Sequence, residues 1–211
     1  MYIDQILYPI KSLGPGNRVV IWTVGCHRQC PGCSNPELWN DENRSNVPVN
    51  DIVSVVTEIC TQNSVDGITI TGGEPFEQAL DLLKLVNQLS FIIPDILIFS
   101  GYTYEEIVSS YEKKQVLKYI SVLVDGQYEK SLNDCLPLRG SSNQRVLLFS
   151  DEFEQSYREY LDQSHSSIQN IHSKEGTISV GIHKDNFQKD IDTALRKKGI
   201  RRIEDGSNEM A

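Results

Sequence analysis

Short apolar runs alternate along this chain with stretches whose apolar residues recur every three or four positions. Residues 2–10 and 18–24 are rich in Val, Ile, Tyr and Trp, and Leu13-Gly-Pro-Gly-Asn17 punctuates them, which predicts two strands or a hairpin. Ile52, Val55, Val56, Ile59 and Cys60 fall at helical spacing, with Asn50 or Asp51 as the expected cap. A strand over Gly67–Thr71 ends in Gly72-Gly73, and Leu82, Leu85, Val86 and Leu89 mark the next helix. A strand over Asp95–Phe99 runs into Ser-Gly-Tyr, followed by helices near 104–110 and 113–118. Strands over Tyr119–Val124, ending in Asp125-Gly126, and over Arg145–Phe149 complete the series. The alternation predicts a parallel α/β sheet with crossover helices.

Beyond residue 150 the pattern continues more thinly. Phe153, Tyr157, Tyr160 and Leu161 form a helical stripe, and the polar, serine-rich stretch 163–176 reads as a loop. Thr177–Ile182 reads as a strand, and Phe187, Ile191, Ala194 and Leu195 as the last helix. The expectation is one more β/α unit, at about 150–200, extending the same sheet within one domain of residues 1–211, with a frayed polar tail at 204–211.

Each chemically suggestive segment lies at the carboxyl end of a predicted strand: Cys26–Cys33, Gly72–Pro75, Ser100–Tyr102 and Asp125–Gly126. That edge carries the ligand site in parallel α/β sheets, so one centre is expected. The net charge of −9 argues against non-specific nucleic-acid binding and against docking on an anionic membrane. No leader pattern opens the chain, and no run of about eighteen apolar residues occurs in it. Five cysteines, three of them clustered, do not make a secreted disulfide framework; they suit a reducing cytoplasm.

Cys26-x3-Cys30-x2-Cys33 offers three thiolates where a closed structural metal site takes four ligands, which leaves an open metal position. The alternative is a zinc ion completed by His27 or a distant residue. Gly72-Gly73 allows close backbone approach, and Glu74 supplies an acceptor for an ammonium group or a first-turn acid for a helix opening at Pro75. Ser100 is a ligand candidate or part of a turn before a Thr103-x-x-Glu106 capping box. Asp125-Gly126 is a turn dipeptide and a site candidate. Arg139 and Asn143-Gln-Arg145 suit a carboxylate, a partner's backbone or solvent. Cys60 lies on an apolar helix face, Cys135 is ambiguous, and His165, His172 and His183 lack metal spacing and default to the surface. Trp22 and Trp39 flank the cysteine loop, either as shields against water and oxygen or as ordinary core.

The window TVGCHRQCPGCSNPELWN, with TITGGEPF at 69–76, FSGYTYEEI at 99–107, LVDGQYEK at 123–130 and LRGSSNQR at 138–145, resembles the radical S-adenosylmethionine superfamily. More narrowly it resembles the anaerobic ribonucleotide reductase activating proteins. The resemblance implies an incomplete, curved (β/α) barrel with a [4Fe–4S] cluster on Cys26, Cys30 and Cys33. It implies S-adenosylmethionine on the fourth iron, its amino group held by Gly72, Gly73 and Glu74, with Ser100 and Asp125 as further contacts. Reductive cleavage would give a 5′-deoxyadenosyl radical that generates a glycyl radical on a partner enzyme, with reduced flavodoxin or a similar protein as electron donor. The unit after residue 150 departs from the short form of that family. An enzyme acting directly on a small molecule or peptide, and a non-catalytic zinc- or cluster-binding module, are the competing readings.

Overall fold

The computed structural model describes residues 1–41, 44–164, 167–172, 176–183 and 187–197. Strands β1 (Ile3–Ile10) and β2 (Arg18–Thr23) form the expected hairpin. Helix α1 (Val49–Gln62) leads to β3 (Gly67–Gly72), α2 (Ala79–Leu89) to β4 (Ile96–Phe99), and α3 (Tyr104–Ser109) with α4 (Tyr111–Val116) to β5 (Val122–Asp125). Strand β6 (Arg145–Leu148) closes a six-stranded sheet in the order β1-β2-β3-β4-β5-β6. β2 to β5 are mutually parallel, while β1 and β6 run antiparallel to their neighbours. β6 departs from the all-parallel expectation because the chain returns from β5 through a loop and one short 3-10 turn, without a crossover helix.

Period-two alternation sorts each strand's side chains onto two faces. Ile21, Ile68, Ile70, Ile96, Ile98 and Leu123 meet Ile52, Val56, Leu82, Leu85 and Ile107 of the helices. Val20 and Trp22, and separately Leu97, Val122 and Val124, face the other way. The cap of α1 is corrected: Pro48 precedes the first turn, no side chain caps it, and Asn50 and Asp51 lie inside the helix. Thr103 and Glu106 do make the anticipated reciprocal capping box.

The C-terminal segment differs most from expectation. Helix α5 (Glu154–Leu161) buries Tyr157 and Tyr160 against Leu97, Val122 and Val124. Residues 168–172, expected as loop, form β7 (Ile168–His172), which pairs antiparallel with β8 (Thr177–Gly181) in a separate two-stranded sheet. The unit therefore does not extend the main sheet. It lies on the face opposite α1 and α2, where Val180, Ile171, Ile178 and Ile182 pack with Ile10, Leu13, Val20 and Trp22. Burial of that apolar patch by a hairpin competes with edge pairing, and here burial decides the arrangement. Helix α6 (Phe187–Lys197) follows. The side chain of Leu195, His165 and the tail 204–211 lie outside the described residues. Among the described residues no helix is long and apolar enough to cross a membrane.

At the amino ends of the strands a polar cluster is buried. Arg18 has no exposed surface and donates to Thr69 Oγ1 (2.7 Å), Asp95 Oδ2 (2.6 Å) and the Ile68 carbonyl (2.7 Å). Tyr157 donates its hydroxyl to Asp95 Oδ1 at 2.9 Å, tying α5 to the sheet. A Cβ on the facing Gly67 would sit 2.3 Å from the guanidinium, so glycine makes room for it. Removing one partner of a buried ion pair leaves the other charge uncompensated. Asp95→Ala should therefore lower the free energy of unfolding in urea by about 3–5 kcal/mol. Tyr157→Phe should cost roughly 1.5–3 kcal/mol, the range for a hydrogen bond to a charged group. Losses under about 0.5 kcal/mol in both variants, the size of an ordinary surface substitution, would contradict this role for the cluster.

Candidate active site

The cysteine loop leaves the end of β2 and is tied at its base. Gly25 N–H donates to Leu38 O and Cys26 N–H to Trp39 O, both at 2.9 Å, so the chain beyond the cysteines returns to where the loop began. Within the loop, Cys33 N–H donates to Cys30 O at 3.1 Å, and Gly32 takes a positive φ of 79° that suits glycine.

β3 fixes this base from the other side. Gly73 N–H donates to Thr23 O and Glu74 N–H to Gly25 O, both at 2.8 Å. A Cβ on Gly72 would lie 2.4 Å from Thr23 O, and one on Gly73 would lie 2.4 Å from Gly25 O. The paired glycines were expected to admit a ligand. In the structure they admit the backbone that carries the cysteines, and both also line the cavity beside that loop.

That contact sets Glu74 beside the loop. Its carboxylate is buried and accepts from Phe76 N (3.1 Å), Ser100 Oγ (2.9 Å) and Gly101 N (2.6 Å). Burial pushes its pKa up to about 7, against the pull of these donors and of Arg28. Ser100 thus holds Glu74 in place while also lining the cavity. Arg28, between two cysteines, was not singled out in the sequence. It donates to both carboxylate oxygens of Glu106 at 2.9 Å and stacks 4.2 Å from the centre of the Tyr102 ring, pinning the loop to the first turn of α3.

One cavity of about 410 Å³ gathers Cys26, Cys30, Cys33, Gly72, Gly73, Glu74 and Ser100. Asp125 is not brought in. Its carboxylate accepts from Tyr104 N at 2.6 Å and from Arg145 Nε at 3.0 Å, and Arg145 also bridges to Glu105; Gly126 lines the cavity instead. His27 is exposed and pairs with Glu77 at 2.6 Å. Arg139 pairs with Asp134, and Asn143 donates to Gln127 O. Cys60 packs at the edge of the helix-side core, and the Cys135 thiol lies 3.4 Å from Asn133 Oδ1; neither lines the cavity. His172 pairs with Thr177 at 2.9 Å. His183, expected at the surface, lines the cavity with Ile178–Ile182 and Phe187, a wall that the sequence reading did not place there.

The donor set fits an iron–sulfur cluster better than a single ion. His27, the residue between Cys26 and Cys30 offered as a zinc ligand, pairs instead with Glu77 in this structure. A cubane binds each thiolate at a different iron, so it does not require the sulfurs to converge on one point. Burial pushes the Cys26 and Cys33 thiols up, and the Trp39 indole opposes this at Cys33.

Residues 12–147 match the family model described as a 4Fe-4S single cluster domain. The chain therefore belongs to the 4Fe-4S single cluster domain family. Within that class it is similar to anaerobic ribonucleoside-triphosphate reductase-activating proteins. The relative from Enterobacteria phage T4 is 34% identical over 151 residues, covering 69% of this chain and 93% of the relative. That from Escherichia coli K12 is 34% identical over 148 residues, covering 66% and 94%. That from Pasteurella multocida is 31% identical over 156 residues, covering 68% and 95%.

The backbone contact at the glycine pair predicts a sharp substitution effect. Gly73→Ala should cost roughly 1–3 kcal/mol of stability, the usual range for overpacking. It should also lower iron incorporation on anaerobic reconstitution, read by iron and sulfide analysis of the folded fraction. Full iron content at wild-type stability would show that the close approach is not needed.

Proposed function

We propose that this chain is a radical S-adenosylmethionine enzyme that generates a glycyl radical on a partner such as anaerobic ribonucleotide reductase. The observation that carries this is the meeting of Cys26, Cys30, Cys33 and Glu74 at one cavity, in a chain similar to named activating proteins. Cys26, Cys30 and Cys33 would hold a [4Fe–4S] cluster. The reduced cluster would supply one electron to the sulfonium of S-adenosylmethionine, and C–S cleavage would release methionine and a 5′-deoxyadenosyl radical.

The chain's own groups orient the reactants. Glu74, held by Ser100 and Gly101, accepts from the methionyl ammonium. Gly72 and Gly73 would join Glu74 at the methionyl amino group, and they also bring the cysteine loop against β3. Asp125 would be a further contact, and its carboxylate also fixes Tyr104 at the start of α3 and Arg145 at the start of β6. The six-stranded sheet, helix-covered on one face, is read as the incomplete curved barrel, and residues 1–211 as one domain. Reduced flavodoxin or a similar donor would supply the electron in the cytoplasm.

A second reading has an observation of its own. Residues 178–183 and 187 wall the cavity, as an enzyme acting directly on a small molecule or peptide would require. Glycyl radical formation on an added reductase separates the two readings. Iron and sulfide analysis separates both from a zinc module, which would hold zinc and no sulfide.

Anaerobically reconstituted protein should hold about four irons per chain, as one cubane requires. Cys26→Ala, Cys30→Ala and Cys33→Ala should each abolish the cluster, while Cys60→Ala and Cys135→Ala keep it. Full iron in Cys30→Ala would break the ligand assignment. The reduced protein should cleave S-adenosylmethionine to 5′-deoxyadenosine.

Glu74→Ala should keep the cluster and weaken S-adenosylmethionine binding by roughly 1.5–3 kcal/mol, as for loss of a charge-assisted hydrogen bond. With its pKa near 7, Glu74 takes up a proton as the pH falls below 7 and stops attracting the ammonium. Affinity should therefore drop toward acid by up to about tenfold per pH unit. Glu74→Gln should flatten that profile, and a wild-type profile flat between pH 5.5 and 7 would remove Glu74 from the site.

A further inference from the structure

Among the described residues, Arg28 and Lys130 are the arginine and lysine side chains that line the cavity. Their charges are placed differently. The Arg28 guanidinium is neutralised by both carboxylate oxygens of Glu106 at 2.9 Å. Lys130 opens the short turn Lys130–Leu132 after β5, and its ammonium has no carboxylate partner among the described residues. Its stem has a defined course. A Cβ on Gly32 would lie 2.9 Å from Lys130 Cδ and 3.4 Å from its Cγ, so the lysine passes over the bend between Cys30 and Cys33. The turn that carries it is fastened to the loop before β6. Ser142 N–H donates to Leu132 O at 2.8 Å, and Glu129 N–H donates to Ser141 Oγ at 3.0 Å. Three acidic side chains lie along the same cysteine loop. Glu74 is buried beside it, Glu77 accepts from His27 N–H at 2.8 Å, and Glu37 accepts from Asn35 Nδ2 at 3.1 Å.

We infer that Lys130 raises the reduction potential of a [4Fe–4S] cluster held on Cys26, Cys30 and Cys33. Reduction adds one electron to a cluster that its thiolates already make anionic, so the reduced form gains most from a nearby cation. The electron comes from an external reductant, and no bond forms or breaks in this step. Arg28 contributes less, because Glu106 offsets its charge, whereas the Lys130 charge is uncompensated. Hydrogen bonds to sulfur act in the same direction, and Asn35 N–H donates to Cys33 Sγ at 3.4 Å, in the half of the loop that Lys130 crosses. The acidic side chains along the loop act the other way, so removal of the one unpaired cation leaves their effect unopposed. The inference rests on the assignment of the cluster to these three cysteines and not on glycyl radical formation.

The test uses full-length, cluster-loaded protein without S-adenosylmethionine. It is poised at one fixed potential with titanium(III) citrate and mediator dyes, and the reduced cluster is counted by electron paramagnetic resonance against total iron. Lys130→Met keeps the stem over Gly32 and removes the charge. It should lower the ratio of reduced to oxidised cluster roughly three- to fivefold, the weight of an exposed charge interaction. Lys130→Arg keeps the charge and should stay within about 1.5-fold of wild type. Raising the ionic strength from about 0.1 M to about 1 M shortens the screening length from ~10 Å to ~3 Å and should remove most of the difference between wild type and Lys130→Met. A merely structural loss would persist in salt. Lys130→Gln, also neutral, keeps the test open if the methionine variant does not load its cluster. Equal ratios in wild type and Lys130→Met, an equal drop in Lys130→Arg, or a difference that survives high salt would overturn the inference. So would weaker S-adenosylmethionine binding in Lys130→Met at an unchanged potential, which would make Lys130 a ligand contact instead. Wild-type protein that loads no cluster would overturn the ligand assignment, and this inference with it.

Discussion

Two residues without side chains decide where everything at the site lies. Gly72 and Gly73 let the end of β3 run within hydrogen-bonding distance of Thr23 and Gly25, so the cysteine loop is fastened to the strand next to it. The next residue, Glu74, is thereby buried at the side of that loop, and the turn after β4 supplies Ser100 and Gly101 to hold its carboxylate. A methyl group at either glycine would meet a carbonyl oxygen at 2.4 Å, with no flexible side chain there to yield. Soft thiolates and a hard carboxylate are thus brought to one cavity by main-chain geometry. Arg28 adds a second fastening, from the loop to α3.

The two ends of the sheet do different work. At the amino ends, Arg18, Asp95, Thr69 and Tyr157 satisfy one another in a buried cluster. Such a pair contributes little net stability beyond an apolar replacement, but it is costly to break, and it fixes how α5 meets the sheet. At the carboxyl ends the cysteines, Glu74 and Ser100 meet at one cavity, with burial raising the Glu74 carboxyl to about 7. A structural cluster thus sits at one end and the candidate site at the other, the division expected of an α/β sheet that binds at its carboxyl edge.

Much of this was legible in the sequence. The alternation of apolar runs and helical stripes placed β1 to β6 and α1 to α4, and the positions of the cysteines, Gly72–Glu74 and Ser100 after strand ends anticipated a shared cavity. What failed depended on long-range packing. β7 has only Ile168 and Ile171 to mark it in a polar stretch, and only its pairing with β8 makes it a strand. The pairing of Asp125 with Arg145, twenty positions on, was equally invisible in the local pattern. Arg18 reads locally as a polar strand start; its burial depends on Asp95, which no local pattern reveals. His183 lacked metal spacing and was assigned to the surface, since nothing nearby in sequence tells that the hairpin folds back over the cysteine cavity.

The central claim is that the cysteine loop and Glu74 form one centre, with the methionyl amine of S-adenosylmethionine held between them. Electron–nuclear double resonance on the reduced, cluster-loaded protein tests it directly, using S-adenosylmethionine labelled with nitrogen-15 at the amino group. A cluster with an open iron beside Glu74 predicts a hyperfine coupling from that nitrogen, weakened or lost in Glu74→Ala. Absence of any nitrogen-15 coupling in saturated wild-type protein would mean that the amine binds elsewhere, and would contradict the account.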